Sequence, residues 1–293
     1  MTTIVSADGK IGSAADAQIS IFDRGFLYGD SVYEVIRTYQ GVPFELERHL
    51  RRLEESATRI AMTLPVSLEQ LAEEVVATHK ASGNEDSYLR VVVTRGSGPI
   101  GLDIALASNQ RRFVVAKPLQ EVRPDPKVYD EGVKIELVSV RRNLKNAIDP
   151  KAKTGNYLNS VMALAEARQA GAFEAVMLDH RGTVTEGASS NIFAVVGGVI
   201  LTPPVDAGIL LGITRTVVLE VARQAGMKVL ELPLSEDVLL AADEAFITSS
   251  VREIVPVVRI NENVLGDGKP GPVVRRVCEL FASYVTSHNQ AKE

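Results

Sequence analysis

The chain has 293 residues, enough for two domains of ordinary size, and its 45% hydrophobic and 24% charged content is that of a globular protein. A formal charge of −5 argues against a general nucleic-acid or anionic-membrane surface, and Cys278, the only cysteine, leaves no disulfide framework and no cysteine zinc cluster. No apolar run approaches a membrane span, MTTIVSADGK has no signal-peptide pattern, and the four histidines have no metal-ligand spacing, so a cytoplasmic, metal-free protein is expected.

Residues 2–22 read as short strands about an Asp8-Gly9 turn. In IFDRGFLYGDSVYEVIRTYQG the second half alternates as a strand, with Tyr33, Val35, Arg37 and Tyr39 on one face. An arginine among aromatics there either snorkels at an edge or awaits an anion. A helix over 44–62 buries Leu46, Leu50, Leu53, Ala57 and Ile60, and most of the charge of Arg48, His49, Arg51 and Arg52 is expected in solvent. A second helix, 67–81, opens with a Ser67/Gln70 capping box and closes before Gly83. The strand SYLRVVVTRG puts Tyr88, Arg90, Val92 and Thr94 on one face. GSGPIG at 96–101 has dinucleotide-binding glycine spacing, but Pro99 interrupts it and LDIALASNQRR is too short for the crossover helix before RFVVAK.

Pro118, Pro124 and Pro126 mark a linker, dividing the chain into domains at 1–119 and 131–293 joined by 120–130. Val133, Ile135 and Leu137 alternate as a strand. In AIDPKAKTGNYLNSVMALAEA, Lys153 stands directly before a Thr-Gly-Asn-Tyr turn and a helix in which Leu158, Val161, Met162 and Ala165 recur, with Gly171 as a stop. A loop-to-helix junction lets an amine project into a pocket. To act as a nucleophile it must shed its proton, and an ordinary lysine with a pKa near 10.4 is neutral in only about one molecule in 2,500 at pH 7. Lys151, two residues earlier, competes for the role. Residues 174–204 read as short strands joined by tight turns. A helix over 214–225, a strand near 228–232, a short helix capped by Ser235, the strand EAFITSS and a helix from Pro272 complete the chain.

Three features of the second half fit a phosphorylated aldehyde cofactor. Gly212, Ile213 and Thr214 open a helix, where free N–H groups attract phosphate, although Thr214 as a plain cap explains the same residues. Thr248, Ser249 and Ser250 end a strand with three hydroxyls. Glu186 in TVTEGASSN is a carboxylate suited to holding a pyridine nitrogen protonated.

YGDSVYEVIRTY, RHLRRL, YLRVVVTRG, KTGNYLNSVMALAEA, TEGASSNIF, GILLGITR and SSVREIVPV occur in this order. Together they resemble the class IV, or fold-type IV, pyridoxal-phosphate enzymes, along essentially the whole chain. The resemblance implies an α/β (α+β) fold of a smaller N-terminal and a larger C-terminal α/β domain with pyridoxal 5'-phosphate between them, and a homodimer. By the same resemblance Lys153 is the Schiff-base lysine and Arg52 binds the cofactor phosphate with Ile213, Thr214 and Ser250. Glu186 pairs with the pyridine nitrogen, and Tyr157 lies beside the ring. Tyr28, Tyr33, Arg37, Tyr88, Arg90, Ser250 and Val251 match substrate-pocket positions.

Arg90 in YLR, Arg37 in YEVIRTY and the NYLNS run resemble the branched-chain amino-acid aminotransferases, so transamination between an L-branched-chain amino acid and a 2-oxo acid such as 2-oxoglutarate is expected. That branch commonly carries Gly-Thr-Ala where this chain departs with Ser249-Ser250-Val251 followed by Arg252-Glu253, and the REIVPV form also resembles the lyase and D-amino-acid branches. D-amino-acid or R-amine transamination is the alternative, followed by aminodeoxychorismate lyase and, from another class, a dinucleotide-dependent oxidoreductase.

Overall fold

The computed structural model describes residues 2–290 and divides into two compact units. One comprises the chain up to Arg123, the short segment Ala152–Tyr157 and the C-terminal residues from His288; the other comprises Pro124–Lys151 and Leu158–Ser287.

The first unit is built on a six-stranded sheet. Its elements are β1 (Ile4–Ala7), β2 (Lys10–Ser13), α1 (Arg24–Tyr28), β3 (Ser31–Tyr39), β4 (Val42–Pro43), α2 (Leu46–Arg59), α3 (Leu68–Ser82), β5 (Ser87–Thr94) and β6 (Arg111–Pro118). The strand order β2-β1-β6-β5-β3-β4 is antiparallel throughout. Asp8 and Gly9 both take positive φ in the β1–β2 turn, the conformation that matches hairpin twist. Val32, Ile36, Leu89, Val91, Val93, Val114 and Ala116 face α2 and α3, where Leu50, Leu53, Ala57, Leu71 and Val75 close the core. Fully burying each such Leu, Ile or Val side chain contributes roughly 1.5–3 kcal/mol. Ser67 and Gln70 form the reciprocal cap of α3, and Gly83 ends it in the left-handed conformation.

The glycine run at 96–101 serves neither a helix nor a nucleotide. Ser97 bridges Asp23 and Ser108, only the three-residue 3-10 turn Ile104–Leu106 follows, and β6 returns antiparallel to β5. A dinucleotide fold requires a parallel strand after a crossover helix, so that alternative is rejected.

The second unit carries α4 (Lys127–Glu131), β7 (Val133–Leu137), α5 (Leu158–Gln169), β8 (Glu174–Leu178), β9 (Thr183–Gly187), β10 (Asn191–Val196) and β11 (Val199–Thr202). It continues with α6 (Ile213–Gln224), β12 (Val229–Glu231), β13 (Leu234–Ser235), α7 (Glu236–Leu240), β14 (Glu244–Ser249), β15 (Glu253–Ile260), β16 (Asn263–Val264) and α8 (Pro272–Gln290). Its mixed sheet runs β12-β11-β10-β14-β15-β7-β8-β9-β13, with β16 beside β15. Strands β7, β8 and β15 pair in parallel; β8 is buried along its whole length and β15 through its middle, whereas β7 alternates, with Lys134 and Glu136 half-buried.

Helix α5 departs from the sequence reading. Ala163 and Ala167 face the sheet, whereas Leu158, Val161 and Met162 are 67%, 57% and 54% exposed within the single chain. Small side chains let the helix lie close to β8, and the larger ones point away from it.

Candidate active site

In the first unit, the segment Ala152–Tyr157 runs beside the start of β3. Tyr33 N donates to Lys153 O at 3.0 Å, Gly155 N donates to Ser31 O at 2.8 Å, and Val32 and Thr154 form an antiparallel bridge. The approach demands glycine. A Cβ on Gly155 would lie 2.3 Å from Ser31 Oγ, and Gly29, at φ +69°, would place one 3.2 Å from the Asn156 backbone. The Lys153 N–H donates to Ser56 Oγ at 3.0 Å, and that hydroxyl donates to Arg52 O at 2.7 Å, so α2 brings Arg52 beside the lysine segment.

The Lys153 side chain is partly buried. Its Nζ donates to Tyr157 Oη at 3.1 Å and stands 4.4 Å from the Tyr33 ring centroid. The two tyrosines meet edge to face at 5.4 Å. Burial first, and Tyr157 second, raise the Tyr33 phenol well above its ordinary pKa, so it stays neutral.

Register places Arg37 opposite Tyr88, Val35 opposite Arg90 and Tyr33 opposite Val92, so Tyr33, Arg37, Tyr88 and Arg90 share one face of the sheet. The Arg90 guanidinium lies 4.0 Å over the Tyr33 ring, and Arg37 lies 4.2 Å over Tyr39. Tyr28 ends α1, and its Oη accepts from Gly101 N at 3.3 Å. Arg24 donates to the carbonyls of Gly101, Leu102 and Asp103, which fixes that loop.

Sequence reasoning missed Glu34. It sits on the opposite, core-facing side of β3, fully buried between Val32 and Ile36. Its carboxylate accepts from Arg52 Nε and Nη2, each at 2.7 Å, and pairs with His49 Nδ1 at 2.7 Å. The sequence reading expects most of the charge of Arg48, His49, Arg51 and Arg52 in solvent; His49 and Arg52 are buried, because this carboxylate supplies the charge and hydrogen bonds that make burial tolerable. Burial alone would raise the Glu34 pKa, but Arg52 and His49 outweigh it and hold the carboxyl down at about 2. Burial lowers His49 despite Glu34 beside it. An acid in the middle of an apolar strand face was the available signal.

The second unit gathers the remaining residues. Glu186, buried on β9, accepts from Arg142 Nε at 2.9 Å through Oε1 and from Leu210 N at 2.9 Å through Oε2. Sequence reading did not single out Arg142. Three residues beyond Leu210 begins α6, whose N-cap is Gly212, with no side chain to satisfy the first-turn amides of Ile213 and Thr214. The alternative of Thr214 as the cap residue is therefore not what the helix uses. Asn191 ties this corner together: its Nδ2 donates to Leu210 O at 3.0 Å, and its Oδ1 would lie 2.1 Å from any Cβ on Gly212. Asn191 pairs with Thr248 across β10 and β14, and Ser250 and Val251 follow in the turn to β15. Thr248 Oγ1 is buried with no hydrogen-bond partner among the described residues. Lys151 also belongs to this unit, and its N–H donates to Asp149 Oδ1.

Residues 31–260, which hold nearly all of these groups, match the family described as Amino-transferase class IV. The chain belongs to the class IV aminotransferases. Its relatives cover almost the whole of this aminotransferase. A protein of Methanocaldococcus jannaschii named as a branched-chain-amino-acid aminotransferase is 41% identical over 94% of this chain and 93% of its own. The D-alanine aminotransferase of Bacillus licheniformis is 35% identical over 96% of each. Among solved structures, the branched-chain aminotransferase of the archaeon Thermoproteus uzoniensis with norvaline superposes with a TM-score of 0.89 at 35% identity, covering 98% of this chain and 96% of that one. A further branched-chain amino acid aminotransferase structure, at a TM-score of 0.91, contains pyridoxamine 5'-phosphate. The fold is that of the fold-type IV enzymes, the activity class is aminotransferase, and the cofactor of the family is pyridoxal 5'-phosphate. Among the described residues no helix is long and apolar enough to cross a membrane.

Proposed function

We propose that this aminotransferase moves an amino group between an L-branched-chain amino acid and a 2-oxo acid such as 2-oxoglutarate, using pyridoxal 5'-phosphate attached through Lys153. The observation that carries this reading is the setting of Lys153: its amine lies over Tyr33, on the sheet face that also bears Arg37, Tyr88 and Arg90, and its backbone is tied through Ser56 to the helix of Arg52. The donor set within each unit fits the cofactor chemically. The first unit offers a primary amine for an aldehyde and a guanidinium for a phosphate. The second offers uncapped helix amides, a buried unpartnered hydroxyl at Thr248 and a buried carboxylate at Glu186.

When bound, pyridoxal 5'-phosphate supplies the electron sink for the charge left at the substrate α-carbon. Arg52, the amides of Ile213 and Thr214, and Ser250 hold its phosphate. Glu186 keeps the ring nitrogen protonated, and Arg142 and Leu210 N fix the orientation of that carboxylate. Tyr157 packs beside the ring and positions the Lys153 amine by their hydrogen bond. The free Lys153 amine would take the proton from the substrate α-carbon as general base and deliver it, as general acid, to the carbon that bore the cofactor aldehyde. Arg37, Arg90 and Tyr88 receive a carboxylate, the planar guanidinium giving two parallel donors. Tyr28, Tyr33 and Val251 shape the space for the side chain.

A D-amino acid is the second reading, favoured by Ser249-Ser250-Val251 and by the D-alanine aminotransferase among the relatives. L-leucine, D-alanine, R-1-phenylethylamine and aminodeoxychorismate are assayed side by side. Turnover of L-leucine exceeding that of D-alanine by about tenfold or more is expected, and activity on D-alanine alone would overturn the first reading.

A homodimer goes with this function. Leu158, Val161 and Met162 on α5, and Ile100 and Leu102 on the loop fixed by Arg24, are apolar and exposed in the single chain. Apolar patches of this kind mark interaction surfaces. The wild-type chain is expected to sediment as a dimer, and Val161→Glu with Met162→Glu is expected to shift it to monomer. Unchanged sedimentation of that variant would exclude α5 from the interface. A cytoplasmic location fits the single cysteine.

A further inference from the structure

The turn that joins β14 to β15 is anchored by a side chain of its own. Arg252 Nε donates to Ser249 Oγ at 3.1 Å, back across the turn. Its Nη2 donates to Glu174 Oε2 at 2.7 Å and to Ser189 Oγ at 2.8 Å and O at 3.2 Å. Glu174, at the start of β8, is 0% exposed. Its Oε2 also accepts from Ser189 Oγ at 2.9 Å and Ser190 Oγ at 3.2 Å, while Oε1 accepts from Ala175 N at 3.1 Å. This buried carboxylate has no part in the chemistry assigned above. A buried charge with this many donors holds its partner in one place, since any shift of Arg252 strands it in a low-dielectric interior.

The same network reaches the second half of the anion site. Ser189 and Ser190 lead directly into Asn191, which bonds Leu210 O and lies against Gly212 at the start of α6. The strand position opposite Asn191 is Thr248, two residues before Ser250. One run of three residues, Ser189–Asn191, therefore links the Ser249–Val251 turn to the helix start.

We propose that Arg252 is a positioning residue for phosphate binding: paired with Glu174, it fixes the Ser249–Val251 turn relative to the N-terminus of α6, the task that a compact glycine-containing turn would otherwise perform through its backbone alone. The inference rests on the reading of Ser250, Ile213 and Thr214 as phosphate contacts. It explains why serine is accepted at 249. Ser249 Oγ is used internally, as the acceptor for Arg252 Nε, and the bulk of its side chain is part of the brace.

The experiment measures binding of pyridoxal 5'-phosphate and of pyridoxal, which lacks the phosphate, to the apoprotein, together with the thermal stabilisation given by inorganic phosphate. Arg252→Gln is expected to weaken pyridoxal 5'-phosphate about tenfold or more, to leave pyridoxal within about twofold, and to reduce the stabilisation by phosphate. Because Arg252→Gln leaves Glu174 buried and unpaired, Glu174→Gln with Arg252→Gln is the companion variant. It is expected to fold with near wild-type stability and to show the same selective loss. Arg252→Lys, which cannot span Ser249 and Glu174 together, is expected to be intermediate. Equal weakening of both ligands, or no weakening of either, in the double variant would overturn the inference while leaving the transaminase reading intact. A wild-type apoprotein that binds no pyridoxal 5'-phosphate would overturn that reading and this inference with it.

Discussion

Lys153→Ala is expected to abolish transamination while leaving the chain folded. The amine carries two tasks in the proposed chemistry, attachment of the cofactor and transfer of the α-proton. Loss of a positioned general base alone costs about 10²–10⁴ in rate, and loss of the attachment point adds to it. Against this, the folded state loses little. Among the described residues the Lys153 side chain makes one hydrogen bond, to Tyr157, and lies over two rings at a partly buried position. Its truncation should cost about 1 kcal/mol. The backbone contacts that hold the segment, to Ser31, Tyr33 and Ser56, do not involve the side chain. Turnover falling to background with a nearly unchanged thermal melt is the expected pair of results, with Lys151→Ala as the active control. A Lys153→Ala enzyme with ordinary turnover would remove the lysine from the chemistry.

The second large effect concerns stability. Glu34→Leu strands the Arg52 guanidinium in the core of the first unit without its counter-charge, and urea melts are expected to show a loss of about 3–5 kcal/mol. Glu34→Leu with Arg52→Met removes both charges, though it leaves His49 without its partner, and is expected to recover part of that stability but not affinity for a phosphorylated cofactor. A double variant as unstable as the single one would mean that the pair is not what makes the site fragile. The pH dependence has a definite sign. Glu34 is held at about 2 in the folded chain against 4.5 when free, so its contribution is fully present above pH 4.5 and is lost as the pH falls towards 2. It amounts to on the order of 3 kcal/mol. His49 acts in the same direction. Its folded pKa lies below 6.5, so acidification through that value protonates the unfolded chain first and favours unfolding. Wild type should therefore lose more stability between pH 4.5 and 2 than the double variant, which keeps His49 but has no Glu34 to titrate.

Much of this molecule could be read from the chain, and what could not has physical reasons. The capping box at Ser67, the hairpin at Asp8-Gly9 and the alternating faces of β3 and β5 depend on neighbours in sequence, and local patterning reveals them. Tyr33 with Arg37, and Tyr88 with Arg90, came out on one face of their own strands for the same reason, and the register between β3 and β5 brings the two faces together. Glu34 did not come out at all, because a carboxylate on an apolar face makes sense only once His49 and Arg52 are known to cross it on α2. The placement of Ala152–Tyr157 with the first unit was equally hidden: it follows from the bridge between Val32 and Thr154, more than a hundred residues apart in the chain. Helix α5 showed a helical repeat but not its direction, since Ala163 and Ala167 are as compatible with the sheet as Leu158 and Met162 are. Arg252 was noticed as a departure in sequence, and only the coordinates pair it with Glu174.

The proposed covalent role of Lys153 has a direct chemical test. The purified enzyme, loaded with pyridoxal 5'-phosphate, is reduced with borohydride, digested and analysed by mass spectrometry. The phosphopyridoxyl mass is expected on the peptide that contains Lys153, at that residue. Label on Lys151, on another lysine, or on none would contradict the account.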